Sequence, residues 1–240
     1  MKYVRDTTGR FAQRPYYDPI ELDQVVDQLV SEFMQERFGQ LILPIPTDAL
    51  TKLIERDAAD LDLYADLSSE GQDVEGVTYF IPNEKPSVGI AQHLSEHAWA
   101  EHRLRTTLAH EYGHVKFHAS VVDLETRSRP EELLANTRNV SPQKCQRSKM
   151  VNAPNSDWME WQAGYICAAL LLPAGALQRL VSDYFERHSL FGPLNVSTPV
   201  AGELVIEVAQ SFDVSQEAAR IRLLKRHYLT EEIVGPSLFG

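Results

Sequence analysis

Residues 105–118 read RTTLAHEYGHVKFH and carry the strongest pattern in this 240-residue chain. They contain an HExxH motif at positions 110–114. Side chains four residues apart lie on the same face of a helix, so His110 and His114 direct two imidazoles at one point. Glu111 lies about 100° further around the helix, beside an ion that the histidines would hold. From there its carboxylate can accept a proton from water.

The opposite face of this helix is apolar. Four residues lie away from the histidines: Leu104, Leu108, Tyr112 and Val115. Such a stripe predicts a helix that is buried on one side and carries its histidines on the other. The alternative is an exposed polar helix face with incidental histidines.

A second informative stretch is residues 157–173, DWMEWQAGYICAALLLP, which is apolar almost all the way round. It predicts a central buried helix that Pro173 stops. Glu160 is the only charged side chain between Asp157 and Arg179. A buried carboxylate is costly unless it is paired or bound to a metal, so Glu160 is the predicted third ligand. Alternatively, Glu160 completes a capping box with Asp157 as the N-cap.

Two histidines and one carboxylate are typical of a catalytic zinc site with an open fourth position. We therefore predict a Zn²⁺ ion bound by His110, His114 and Glu160, with Glu111 as the catalytic base for peptide hydrolysis. His118 lies one further turn along the helix, too far for a ligand, and is assigned to packing or to a bond with a ligand. The oxyanion needs another donor. The candidates are Tyr165, Tyr112, His93 and His97.

Composition narrows the class of protein. With 43 % hydrophobic and 24 % charged residues, the chain is typical of soluble globular proteins. Its net charge of −11 argues against non-specific nucleic-acid binding by the whole surface. The two cysteines form no disulfide framework, and the N-terminus has no apolar signal segment. The longest apolar run, residues 166–173, is too short to span a bilayer. These features predict a cytoplasmic protein.

The chain divides into three predicted parts. Residues 1–46 comprise an arm and a helix. The arm, residues 1–17, has no usable hydrophobic periodicity and is expected to be disordered. The helix runs from Asp18-Pro19 to Gly39. Six residues of that helix are predicted to face a core: Leu22, Val25, Val26, Leu29, Val30 and Phe33. Residues 47–185 form the metallopeptidase domain, which begins with a helix capped by Thr47.

Within that domain, residues 57–73 are irregular, and residues 74–81 and 87–92 predict a hairpin placed before the metal helix. An exposed edge of the hairpin could seat an extended peptide, or the hairpin could be an ordinary part of the core. Residues 119–156 predict a basic, loop-rich insertion. It is either a solvated loop or a flap that contacts an acidic substrate.

The third part, residues 199–230, predicts two helices, 201–212 and 216–229, with Ser215 as the N-cap of the second. The second helix is basic through Arg220, Arg222, Lys225 and Arg226. A short helix, a tight turn and a basic helix resemble a helix-turn-helix with a possible weak DNA contact. A plain helical hairpin packed on the core is the favoured alternative, because Leu204, Val208, Ile221 and Leu224 explain the pattern without DNA.

The motifs resemble those of the ImmA/IrrE metallopeptidases. The resemblance covers residues 47–229 and rests on TLAHEYGH at 107–114 with His118, on Glu160-x-x-Ala163 and the AAxLLP run at 168–173, and on the tail at 212–223. It implies a gluzincin-type α+β fold, with a small sheet over the HExxH helix and helical segments at both ends. It also implies zinc at His110, His114 and Glu160, and Glu111 as the base.

Known members of that family act inside bacterial cells on helix-turn-helix repressors, so the resemblance implies such a repressor as the substrate. The other function left open is a DNA- or partner-binding regulator that keeps zinc in a structural role. Two positions depart from the family pattern. Gly164 stands where an Asp or Asn often orients the first histidine, and the long insertion carries Cys145, which could cap the zinc as a thiolate.

Overall fold

The computed structural model describes residues 1–71, 73–81, 83–128, 141–146 and 157–232, with only the backbone described for 126–128 and 141–146. The helices are α1 (Pro19–Phe38), α2 (Thr47–Asp57), α3 (Gln92–Glu96), α4 (Glu101–Ser128), α5 (Trp158–Leu171), α6 (Ala174–His188), α7 (Pro199–Phe212) and α8 (Gln216–Lys225). The strands are β1 (Lys2–Arg5), β2 (Gln13–Tyr16), β3 (Asp60–Ala65), β4 (Val74–Phe80), β5 (Ser87–Ala91), β6 (Ser141–Gln146), β7 (Leu194–Asn195) and β8 (Leu229–Thr230).

A four-stranded sheet of order β3-β5-β4-β6 lies against α4. β4 is antiparallel to both β5 and β6, and β3 is parallel to β5. Gly76 and Thr78, two residues apart on β4, both face Glu111 of α4, as the two-residue period of a strand requires. The predicted α+β fold, with a small sheet over the HExxH helix, is confirmed.

The main hydrophobic core joins all three predicted parts of the chain. α4 packs against α2 on one side and α5 on another, and α5 also packs against α1. One continuous cluster of buried side chains contains Leu22 of α1, Leu108 of α4, Ile166 of α5 and Leu204 of α7. The helical segments at both ends therefore pack on the sheet-and-helix unit that carries the HExxH motif.

The N-terminal arm is ordered, so the expectation of disorder was wrong. β1 and β2 form an antiparallel hairpin in which Lys2 pairs with Tyr16. Asp6 closes its turn by accepting hydrogen bonds from the backbone N–H groups of Thr8 and Phe11, at 2.9 and 3.0 Å. The hairpin also contacts α5 far along the chain. A contact between such distant segments leaves no trace in local periodicity.

The first helix has the predicted ends. Asp18 and Glu21 form a capping box, Pro19 begins the helix, and Gly39 ends it in the left-handed region with φ 73°. The predicted inward face is partly wrong, because Val25 is 41 % exposed and Met34 is buried.

The second helix starts one residue away from the prediction. Thr47 is its first residue, and Pro46 occupies the N-cap without a side-chain cap. The Thr47 hydroxyl instead donates to Glu101 at the start of α4. Thr47 therefore ties two helices together rather than capping one.

Two elements were missed in segments predicted to be irregular. β3 lies within residues 57–73, where the exposed Asp60 and Asp62 alternate with half-buried leucines. That two-residue alternation was present, but aspartate is unfavourable in strands and obscured it. In the predicted 119–156 insertion, α4 continues to Ser128 and residues 141–146 form β6. Predictions for residues 129–140 and 147–156, and for the Cys145 side chain, lie outside the described part.

The apolar stretch of α5 ends near Pro173 as predicted, with Leu172 as the C-cap and Pro173 at the N-cap of α6. Among the described residues, no single helix has the length and apolarity to cross a membrane. Taken together, the consecutive helices α5 and α6 have that length and apolarity, but they are bent by 57° at the break between them.

The basic residues of α8 are used within the chain. Arg222 is fully buried and donates to Asp23 of α1 at 2.7 Å, and Arg226 donates to the other oxygen of Asp23 at 2.5 Å. Arg220 pairs with Glu217 and Glu231 at the surface. This arrangement favours the helical hairpin packed on the core over a DNA-contacting helix.

We expect Arg222→Met to lower the free energy of unfolding by about 3 kcal/mol, because loss of one partner leaves part of a buried charge uncompensated. The matched Arg220→Met, on the exposed face of the same helix, should change it by less than about 0.5 kcal/mol. Urea denaturation followed by circular dichroism measures both. Equal effects of the two changes would contradict the buried ion pair.

Candidate metal centre

Three of the predicted residues converge between α4 and α5. One donor atom each from His110, His114 and Glu160 lie within 4.8 Å of one another. The Nε2 atom of His110 is 3.2 Å from Glu160 Oε2, and the Nε2 atom of His114 is 3.2 Å from Glu160 Oε1. The two Nε2 atoms are themselves 3.2 Å apart. All three side chains are buried.

The close packing of α4 on α5 produces this convergence. A Cβ at Gly113 would lie only 3.1 Å from the Cα of Ala163 and 3.3 Å from its carbonyl oxygen. Glycine therefore permits a backbone approach that a larger residue would prevent. Glu160 lies one turn before Ala163 on α5, so its carboxylate reaches the histidines on either side of Gly113.

Glu111 lies on the side of α4 that faces β4. The Thr78 hydroxyl donates to its Oε2 atom at 2.5 Å. Gly76 provides the space, because a Cβ there would lie 2.6 Å from Glu111 Oε1. Within the described residues, that buried Oε1 atom has no hydrogen-bond partner. One oxygen of Glu111 is therefore fixed and the other is left for a donor from outside the protein.

The residues fit a bound zinc ion. A tetrahedral zinc with bonds of about 2.0–2.1 Å places neighbouring ligand atoms about 3.3 Å apart. The observed separations of 3.2 Å between His110, His114 and Glu160 match that spacing. The donor set of two imidazoles and one carboxylate is the one that catalytic zinc uses.

The electrostatic environments of Glu160 and Glu111 suit their predicted roles as a metal ligand and a base. Burial alone would raise the pKa of Glu160, but the charges of His114 and His110 and their hydrogen bonds hold it well below its usual value. Glu160 is therefore an anion, as a metal ligand must be. Burial raises the pKa of Glu111 above its usual value, although both histidines oppose the shift.

The competing explanation for Glu160 was a capping box, and this was wrong. Asp157 occupies the N-cap of α5 but makes no side-chain cap bond. Its carboxylate pairs instead with Arg10 at 3.4 Å. The prediction that the helix is buried on only the side away from its histidines was also wrong, because His110 and His114 are both fully buried.

The two tyrosine candidates for oxyanion stabilisation have partners elsewhere. The Tyr112 hydroxyl donates to Asp57 of α2 at 2.7 Å. The Tyr165 hydroxyl donates to Asp23 of α1 at 3.0 Å. The structure places the other two candidates in α3 and at its C-cap: His93 and His97.

The predicted hairpin is β4 and β5, but neither strand has a free edge in the described sheet. β5 pairs with β3 on its outer side, and β4 pairs with β6. Thr78, which holds Glu111, is in register with Gln143 of β6. The edge next to the site is therefore occupied by this chain's own backbone, as the core-hairpin alternative requires.

Sequence reasoning missed two further residues: Thr78, which contacts Glu111, and Gln162, which contacts His118. Thr78 gave no local signal, because its role depends on β4 crossing α4. Gln162 did give a local signal, since it is a second polar side chain in an otherwise apolar helix. It is 1 % exposed, and buried amides require partners. His118 contacts His114, in agreement with its assignment to a bond with a ligand.

The chain matches the model of the IrrE N-terminal-like domain, a peptidase family designated M78, over residues 66–224. That span contains β4, α4 and α5 and with them all four predicted site residues. A comparison with curated proteins found no match.

We expect Gly76→Ala to lower the free energy of unfolding by about 1–3 kcal/mol, because the added methyl overlaps Glu111 and Thr107. Gly202→Ala is the control, since a Cβ there meets nothing within 4 Å. That change in α7 should stabilise the protein by up to about 1 kcal/mol. Denaturant unfolding tests both, and a neutral Gly76→Ala would show that β4 is not tightly seated on α4.

We also expect zinc to stabilise the metal-free protein, by about 2.7 kcal/mol at a free concentration one hundred times its Kd. His110→Ala should abolish that shift. His102→Ala removes a half-exposed histidine from the same helix and should leave the shift intact. Thermal unfolding with and without zinc measures the effect. An unchanged shift in His110→Ala would exclude this site.

Proposed function

Because the chain belongs to the IrrE N-terminal-like peptidase family, we propose that it is a zinc-dependent metalloendopeptidase that hydrolyses peptide bonds of a protein substrate. The observation that carries the proposal is the convergence of His110, His114 and Glu160 beside the unpartnered Oε1 of Glu111 in the described structure. A site that only held a metal would have no need of that carboxylate.

In this proposal, His110, His114 and Glu160 hold the ion. The chemistry that such an ion would supply is polarisation of the scissile carbonyl and activation of water at neutral pH. Glu111 Oε1 accepts a proton from the attacking water and returns it to the leaving amine. Thr78 keeps the other carboxylate oxygen occupied, so proton transfer is directed to Oε1.

The environment of Glu111 favours a basic role. Burial raises its pKa, and a general base is most effective when its pKa approaches the working pH. The fixed contact with Thr78 restricts the carboxylate to one orientation. β4 contributes to both effects, because Gly76 and Thr78 lie against Glu111.

We propose an intracellular helix-turn-helix repressor as the substrate. The support for this step is the resemblance of the motifs to ImmA/IrrE proteins. The alternative of a DNA-binding regulator finds less support, because Arg222 and Arg226 are both bonded to Asp23. The carboxylate of Glu111 also has no task in a structural zinc site.

The direct test is Glu111→Gln, assayed on candidate helix-turn-helix repressors encoded beside this gene. The variant should bind zinc as the native protein does, but cleave at least about 100-fold more slowly, because the amide cannot accept the proton. Mass spectrometry of the products measures cleavage, and chelation followed by zinc addition gives the metal control. Normal cleavage by the variant would refute the mechanism.

A further inference from the structure

A line of hydrogen bonds leads from the N-terminal hairpin to the candidate ligand His114. The Pro15 carbonyl accepts from Gln162 Nε2 at 3.0 Å. Gln162 Oε1 lies 3.2 Å from His118 Nε2, and His118 Nδ1 lies 2.9 Å from His114 Nδ1. The side chains of Gln162, His118 and His114 are all buried, so water does not compete for these contacts.

The Pro15 carbonyl determines which group donates and which accepts in every hydrogen bond of this line. A carbonyl oxygen only accepts, so Gln162 presents its amide nitrogen to Pro15 and its oxygen to His118. His118 Nε2 must then carry a proton and donate it. Neutral His118 consequently has a bare Nδ1, which accepts the proton on His114 Nδ1.

This assignment determines which nitrogen of His114 is available to a metal. With its proton on Nδ1, neutral His114 has its lone pair on Nε2. Nε2 is the atom that lies 3.2 Å from both Glu160 and His110. The tautomer set from Pro15 is therefore the one that a metal at this site requires.

We propose that His118 and Gln162 are positioning residues for His114, and that the Pro15 carbonyl selects the metal-binding tautomer of that ligand through them. The proposal rests on the metal site of the proposed function. It gives the N-terminal hairpin an indirect role in orienting His114, through Gln162 and His118.

The contacts around His118 favour this role over simple packing. Its ring stands edge-on to Trp158, with centroids 5.4 Å apart and an interplanar angle of 88°. Packing of this kind fixes the ring plane, and the two hydrogen bonds fix its rotation. His110 differs, because its Nδ1 atom has no hydrogen-bond partner within the described structure. The line of bonds therefore orients one of the two histidines.

Zinc affinity of His118→Leu and His118→Asn tests the proposal. The two side chains have the same shape, but Asn places an acceptor where His118 Nδ1 stood and Leu does not. His118→Leu should weaken zinc binding about 10–100-fold, as loss of a ligand's outer partner typically does, while His118→Asn should stay within about threefold of the native protein. Equal affinities of the two variants, high or low, would overturn the proposal.

The tautomer can be observed without any metal. In the metal-free protein, where Glu160 Oε1 lies 3.2 Å from His114 Nε2, proton–nitrogen correlation spectra should show His118 with its proton on Nε2 and a bare Nδ1 that faces a slowly exchanging Nδ1–H of His114. Gln162→Met keeps a long apolar side chain but removes both polar atoms, so it should weaken zinc binding by about as much as His118→Leu. A proton on His118 Nδ1 in the metal-free native protein, or native zinc affinity in Gln162→Met, would overturn the assignment to Pro15 and Gln162.

His102→Leu is the matched control, because His102 lies on the same helix with its ring bonded to Asp213 rather than to the site. It should change neither the zinc affinity nor the His114 signal. Failure of the native protein to bind zinc would refute the proposed function. The spectra of the metal-free protein would still decide the tautomer assignment, so the two failures are distinguishable.

Discussion

The structure depends on the close contact of α4 and α5 at Gly113 and Ala163. A Cβ added at Gly113 would lie 3.1 Å from the Ala163 backbone, so a larger residue would fit only if α5 moved away from α4. Interiors are packed too densely to absorb even one extra methylene without displacement. Glu160 and Gln162 lie in the turn of α5 just before Ala163. This contact therefore positions both the carboxylate that completes the site and the amide that faces His118.

Residues whose role depends on local spacing could be predicted from the sequence. His110 and His114 follow from the four-residue helical repeat, and Glu160 follows from the cost of a lone buried carboxylate. The hairpin at residues 1–17 and strand β6 could not be predicted. Their positions arise from pairing between distant segments, such as Pro15 with Gln162, and nothing in the neighbouring residues encodes such partners.

The C-terminal helices show how composition can mislead. Basic residues on α8 resembled a nucleic-acid contact, yet Arg222 is fully buried among Asp23, the Leu172 carbonyl and the face of Tyr165. The guanidinium offers five donors in a planar fork, so it can satisfy a carboxylate and a carbonyl together. The charge of Arg222 joins the last helix to the first. Counting the basic residues along a helix does not distinguish this structural role from DNA binding.

The complete burial of the four side chains also affects kinetics. His110, His114 and Glu111 have no exposed surface, and Glu160 has only 1 %. An ion held there could leave only when surrounding elements open transiently, and such openings have their own free energy and rate. The lifetime of the loaded protein in the presence of a chelator would then report how often α4, α5 and β4 separate, rather than the strength of the coordinate bonds alone.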